Sequence, residues 1–325
     1  MLASKQNLNL EDIAQSCGIY DVQDTNGVIS KIDSLRIKYQ PSDLINIFNY
    51  LLSKSQNPDV TMYLIRCCDE YRDSSSLPFL VDILLLDHAD NESEDLKEKY
   101  TNVRIMSAKA IGNLKNTDAV TSLLYCLNNK NENYRVRLAC ADSLGHIGDK
   151  YAVAPLIELA KDENEKSVYL REGAVSALGV LGDLRAVDPL VSILETKQGI
   201  MSKFSFLKEC VIEALNKMGI GKNDRVFRAL KSSLLDESPQ VRINAIEALM
   251  NGDYPQAYEI IKNVLENDSD KEVKKNALIA LYNLSGRGIL DEVIASDKYS
   301  DALKMSAVKI LDEYENDSKE GEDND

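Results

Sequence analysis

The stretch Val136-Arg137-Leu-Ala-Cys-Ala-Asp-Ser-Leu-Gly145 decides the fold, because the chain repeats it. Val103-Arg104-Ile-Met-Ser-Ala-Lys-Ala-Ile-Gly112 precedes it, and Leu170-Arg171-Glu-Gly-Ala-Val-Ser-Ala-Leu-Gly179 follows. Looser copies begin at Leu207, Val241, Val273 and Leu303, with a degenerate one at Val60. From Val103 onward successive anchors lie 33, 34, 37, 34, 32 and 30 residues apart. A period of this size marks stacked supersecondary units, each unable to bury its own apolar face alone.

Each column of the repeat has a physical reason. With the aliphatic anchor as position zero, positions +4, +8 and +11 carry Cys140, Leu144 and Ile147, then Ala174, Leu178 and Leu181. That spacing places them on one stripe of a helix. Position +7 is small (Ala110, Ser143, Ala177, Ala214, Ala248, Ala280) and position +9 is Gly112, Gly145 and Gly179 in the strongest copies. Both predict close approach of neighbouring helices. Gly148-Asp149 and Gly182-Asp183 are turn signals. Pro155 and Pro189 then fit the first turn of a second apolar helix, where a missing N–H costs nothing. The expectation is an all-α solenoid of seven to eight helix pairs over 59–311.

The ends differ. Residues 1–58 read as a cap of about three helices, one starting at Pro41-Ser42-Asp43. An acidic insertion over 87–100 stretches the step from Val60 to Val103 to 43 residues. Residues 312–325 hold eight acids and one Lys and read as a disordered acidic tail.

The formal charge of −15 repels a phosphate backbone, so nucleic acid is a poor partner and a protein with a basic surface a good one. Six Cys (17, 67, 68, 126, 140 and 210) form no CxxC pair and no disulfide-like spacing. No apolar run approaches the ~18 residues of a membrane span, and Met1 to Asn9 is polar. The expectation is a reducing cytoplasmic setting, with no metal and no cofactor.

Val136 to Asp149 and Leu170 to Leu194 resemble the short HEAT-like repeats of phycobilisome lyases. The resemblance is strong over 100–195 and weaker from 60 to 311. It implies the solenoid fold and two kinds of activity. Members include subunits of heterodimeric phycocyanobilin lyases, which attach or detach tetrapyrroles on antenna-protein cysteines. Others are plain interaction proteins, one type partnering an iron–sulfur carrier. The resemblance therefore admits a bilin as a transferred ligand, and a phycobiliprotein or second HEAT-repeat subunit as partner. The matching residues are those of packing and turns, so it selects neither activity.

Candidate site residues come from the face not used for packing, at +2, +3 and +6 of the fingerprint helices. Ile105, Met106, Leu138, Asp142, Glu172, Cys210, Glu213, Ile243 and Glu247 are expected to line a concave partner-binding surface. Exposed Ile105, Met106, Leu138 and Ile243 would form an apolar patch that a merely solvated face does not need. The competing reading is that these positions lie between repeats. His146 at +10 is a rim or ligand-adjacent residue, and with Asp142 or Glu172 a proton donor should the protein be a lyase subunit. The basic column at +1 (Arg104, Arg137, Arg171, Lys208, Arg242, Lys274, Lys304) either contacts acidic ligand groups or pairs with carboxylates such as Asp149 and Asp183 to hold the stack. A helical-repeat di-iron hydroxylase needs several His-Glu pairs, and neither His88 nor His146 is followed by Glu. Gly219-Ile-Gly-Lys222 lacks the upstream glycine and following Ser/Thr of a phosphate loop and reads as a turn.

Overall fold

The computed structural model describes residues 8–21, 23–86, 93–196 and 205–322, with side chains to 313. Among the described residues all regular structure is helical. The chain divides into two compact units, Met1–Ala160 with Glu165–Ala177, and Lys161–Asn164 with Leu178–Asp325.

The first unit opens with α1 (Leu10–Cys17), α2 (Thr25–Lys38) and α3 (Pro41–Lys54). It continues with α4 (Pro58–Tyr71), α5 (Leu77–Leu84), α6 (Glu94–Leu114), α7 (Val120–Asn128), α8 (Tyr134–Ile147), α9 (Val153–Lys161) and most of α10 (Val168–Leu181). The second holds the end of α10, then α11 (Val187–Glu195), α12 (Ser205–Lys217), α13 (Asp224–Ser233), α14 (Pro239–Asn251) and α15 (Ala257–Asn267). It closes with α16 (Lys271–Ser285), α17 (Gly288–Ala295) and α18 (Asp301–Glu322). The fingerprint copies are α4, α6, α8, α10, α12, α14, α16 and α18.

Short polar side chains start these helices by accepting the first free backbone N–H groups. Asn133 caps α8, Ser238 caps α14 and Asp270 caps α16. Asp149 and Asp183 do the same for 3₁₀ turns at Lys150–Ala152 and Leu184–Ala186, so both turn carboxylates serve as caps. Gly148 ends α8 in the left-handed region, at φ 80°, where a side chain would be strained.

Sequence spacing pairs each fingerprint helix with the apolar helix that follows it. Of the two apolar helices that flank it, the structure instead packs it more on the one before: α6 on α5, α8 on α7, α14 on α13, α16 on α15. The reason is the direction of the +4 and +8 stripe. Ser107 at +4 of α6 donates its hydroxyl to the Leu80 carbonyl of α5 at 2.5 Å.

Successive fingerprint helices then meet edge to edge. A Cβ placed on Gly112 would lie 2.9 Å from the Ser143 side chain, one on Gly145 3.1 Å from Ala177 Cα, and one on Gly179 2.8 Å from Ala214 Cα. So +9 of one helix faces +7 of the next, and the glycines fix the spacing. Position +5, next to +9 on the same side, is fully buried from Ala108 through Ala141, Val175, Ile212 and Ile246 to Leu278.

Two segments depart from expectation. Residues 94–100 are not an insertion loop but the first two turns of α6, capped by Ser93 and led by Glu94 and Asp95 at the positive end of the helix dipole. Residues 87–92, including His88, lie outside the described residues. Helix α18 runs on to Glu322 through the segment expected to be a disordered tail. Asp312 to Glu320 contains neither Pro nor Gly, and extending an existing helix costs far less than nucleating one.

A candidate protein-docking face

From Arg104 to Lys274 the basic column is structural, while Lys304 meets the exposed Asp297 at 3.7 Å. Arg104 forms a bidentate pair with Glu132 and donates to the Leu84 carbonyl at 2.8 Å. Arg137 meets Glu165 at 3.0 Å and the Leu127 carbonyl at 2.7 Å. Lys208 meets Asp236 at 2.5 Å, and Arg242 meets Asp268 at 2.8 and 2.9 Å. Arg171 donates to the Ala160 carbonyl and Lys274 to that of Glu266. The carboxylates are thus not Asp149 and Asp183. They sit 26–28 residues beyond each base, in the turn leading into the next fingerprint helix. Each pair ties one repeat to the next, and the column offers no ladder of cations to a ligand.

With the +4/+8 stripe on the preceding helix and +9 on the next repeat, the side of each fingerprint helix left open is +6 and +10. Asp142 is half-buried and Glu213, Glu247 and His146 are exposed there. The +2 residues Ile105, Leu138, Glu172 and Ile243 are half-buried on its flank. Position +3 turns toward the preceding repeat. Ala139, Gly173 and Asn244 are buried, and a Cβ on Gly173 would fall 2.2 Å from Leu138 Cδ1. Leu138 is therefore a packing residue lying over Gly173, and the half-buried Met106 and Cys210 at +3 are edge residues. Of the expected apolar patch, Leu138 is inter-repeat contact, and Ile105, Met106 and Ile243 are half-buried.

In the first unit this face brings Asp142 beside His146, one turn on, and Lys109 of α6. Burial raises the Asp142 carboxyl above its usual range, and the charges of His146 and Lys109 draw it partly back. In the second unit the face is acidic and amide-rich. Glu213 accepts from Asn244 at 3.5 Å, and Glu247 accepts from Asn216 at 3.5 Å. Asn216 in turn accepts from Asn251 at 3.2 Å. Glu209 accepts from the Ser238 hydroxyl at 3.4 Å. Desolvation, with Glu213 and Asp236 nearby, raises its carboxyl.

The +10 column, of which the sequence reading took only His146, supplies Asn113 and Asn251 to the same face. Asn113 holds Asp69 at 2.9 and 3.1 Å. The helical step of four from +6 could have revealed them. Cys17, Cys67, Cys68, Cys126 and Cys140 are buried and Cys210 is half-buried. The contact between Cys126 and Cys140, joining α7 to α8, was not legible from spacing. It holds the Cys140 thiol well above its ordinary value, together with burial. Among the described residues no group of three or more His, Cys, Asp or Glu is placed to hold a metal ion. No described helix is long and apolar enough to cross a membrane.

This geometry defines a helical-repeat protein whose chemistry is that of packing and surface charge. Family models for HEAT repeats match residues 93–169, 130–201, 207–282 and 227–311. The chain belongs to the HEAT-repeat family and is an all-α solenoid. No curated protein matches it. Among solved structures it is similar to the complex of CpcE and CpcF of phycocyanin lyase from a Nostoc species, at 21% identity and TM-score 0.44, covering 83% of this chain and 94% of that one. Human deoxyhypusine hydroxylase in complex with glycerol is similar at 17% identity and TM-score 0.34, covering 84% and 95%. Kap121p is similar at 12% identity and TM-score 0.54, covering 92% of this chain and 37% of that one. These likenesses concern the fold.

Proposed function

We propose that this protein is a protein-binding scaffold or adaptor and that the open +6/+10 face of its fingerprint helices holds the partner. One observation carries the reading. Glu209, Glu213 and Glu247 are held by a hydroxyl and by amides, whereas Asp236 and Asp268, in the turns, are neutralised by Lys208 and Arg242. The packing carboxylates are satisfied within the fold, and those on the face keep their charge for something outside it. Asp142 on the face and Glu209 on its flank are partly desolvated, which raises both carboxyls. The partner that fits the second unit is a protein segment rich in Lys and Arg, attracted over long range by the net charge of −15.

The partner is to be identified by co-purification from the native host and mass spectrometry, and its binding kinetics measured at two salt concentrations. Glu213→Lys and Glu247→Lys should slow association and flatten its salt dependence, with little change in dissociation. If both variants bind like the parent at both salts, the partner uses another surface. Adding a bilin to the purified protein examines the lyase-subunit reading. A shifted absorption and transfer to an acceptor cysteine would make the solenoid a tetrapyrrole-handling subunit instead.

A further inference from the structure

Every cysteine but Cys210 is buried, and two of the buried ones meet across a helix contact. Cys126 lies near the end of α7, and Cys140 stands at +4 of α8, on the stripe that packs against α7. The two helices are pinned at this level, because the Arg137 guanidinium of α8 donates to the Leu127 carbonyl of α7 at 2.7 Å. The Cys140 thiol then donates to Cys126. Cys67 and Cys68, by contrast, are consecutive on α4, where successive side chains do not face each other.

The pair sits at a junction between repeats. Cys126 Sγ donates to Glu132 Oε2 at 4.0 Å, and Glu132 is the carboxylate that holds Arg104. Arg137, which pins Leu127, holds Glu165. Two consecutive inter-repeat ion pairs therefore flank the thiols. Cys126 is 2% exposed and Cys140 fully buried, so bulky disulfides are kept out and only a small oxidant entering during local opening reaches the sulfurs. We propose that Cys126 and Cys140 are a redox pair, which a small hydroperoxide closes to a disulfide between α7 and α8 and a dithiol reopens.

The two sulfurs have different parts in the reaction. The hydrogen bond from Cys140 holds the Cys126 thiol below its ordinary value, against burial, with Arg104 and Arg137 assisting and Glu132 opposing. Cys126 ionises first, and its thiolate attacks one oxygen of the hydroperoxide. The O–O bond breaks, the sulfur is oxidised to a sulfenic acid, and the other oxygen leaves as water or an alcohol. The Cys140 sulfur then attacks Cys126, the S–S bond forms, and the sulfenic hydroxyl departs as water with the Cys140 proton. Two thiols and one hydroperoxide thus give one disulfide, one water and a second water or an alcohol. Closing the bond withdraws the S–H donor from Glu132 and ties α7 to α8 covalently. The reaction belongs to the first unit and does not rest on the docking reading above.

The full chain, fully reduced, is treated with hydrogen peroxide in native buffer, alkylated, digested without reductant and mapped by mass spectrometry. The expected product is a cross-linked peptide joining residue 126 to residue 140, with both free thiols lost together and both recovered on adding dithiothreitol. Cys140→Ser should leave a sulfenic acid on Cys126 that dimedone traps, and Cys126→Ser should leave Cys140 unlabelled. Circular dichroism checks that both variants fold, and the parent's cross-link decides the matter should either fail. A cross-link absent under native conditions, one that forms only in denaturant, or dimedone on Cys140 in preference to Cys126 would each overturn the assignment.

Discussion

The repeats carrying glycine at +9 and those without it solve the same packing problem differently. Gly112, Gly145 and Gly179 let the next helix come so close that a single Cβ would meet Ser143, Ala177 or Ala214 at 2.8–3.1 Å. At the equivalent place α12, α14 and α16 carry Asn216, Met250 and Tyr282, all half-buried or nearly so. Among them, Asn216 uses its amide to reach Glu247 and Asn251. The ion pairs vary in burial without following the glycine, since Arg242–Asp268 is as buried as Arg104–Glu132. Arg137 and Glu165 are 5% and 7% exposed at their side chains, against 17% and 15% for Lys208 and Asp236. A repeat can lose the glycine without losing the fold, because +7 stays small from α6 to α16.

Breaking the most deeply buried of these ion pairs should have the largest effect. Arg137→Met strands Glu165 in a buried place and should cost about 3–5 kcal/mol. Lys208→Met should cost less, because Asp236 keeps some access to water. Chemical denaturation of both variants compares the two, and equal losses would mean that burial of the pair does not set its importance. The double variant Arg137→Met with Glu165→Met should recover most of the loss, as paired apolar replacements of buried ions do.

Overpacking comes next. Gly145→Val and Ala177→Leu should each destabilise by about 1–3 kcal/mol, since the facing atoms belong to backbone and Cβ and cannot swing away. Asn216→Leu at the equivalent of Gly145 should be tolerated within about 0.5 kcal/mol. Thermal melts of the three decide it. A large loss for Asn216→Leu would show that the repeats without glycine depend on the amide contacts as much as the others depend on glycine.

The smallest effect concerns the open face. The Asp142 carboxyl is raised in the folded protein, so the folded state binds that proton more readily than the unfolded chain does. The penalty is absent below the ordinary Asp range near ~3.9 and grows as pH rises through the folded value. Asp142→Asn should therefore raise the melting temperature at neutral pH and leave it unchanged near pH ~3. A loss of stability at neutral pH would mean that Asp142 holds the fold together and is not a surface charge kept for a partner.

The sequence by itself determined the period, the anchors, the small +7 column and the turns at Gly148-Asp149 and Gly182-Asp183, because each follows from local helix geometry or from the size of one side chain. Val136 to Gly145 could be aligned with its copies without knowing where any helix points. It also placed Ala177 and Cys140 in the core and separated Glu213 and Glu247 from it. Only the tertiary structure decided which neighbour each stripe meets. Leu138 lies over Gly173 of the next helix, and Arg137 reaches forward to Glu165. These are contacts between residues about one repeat apart, and helical periodicity gives the angle of a side chain about its own axis. It does not say whether that angle faces the helix before, the helix after or water, which is fixed only when the helices stack.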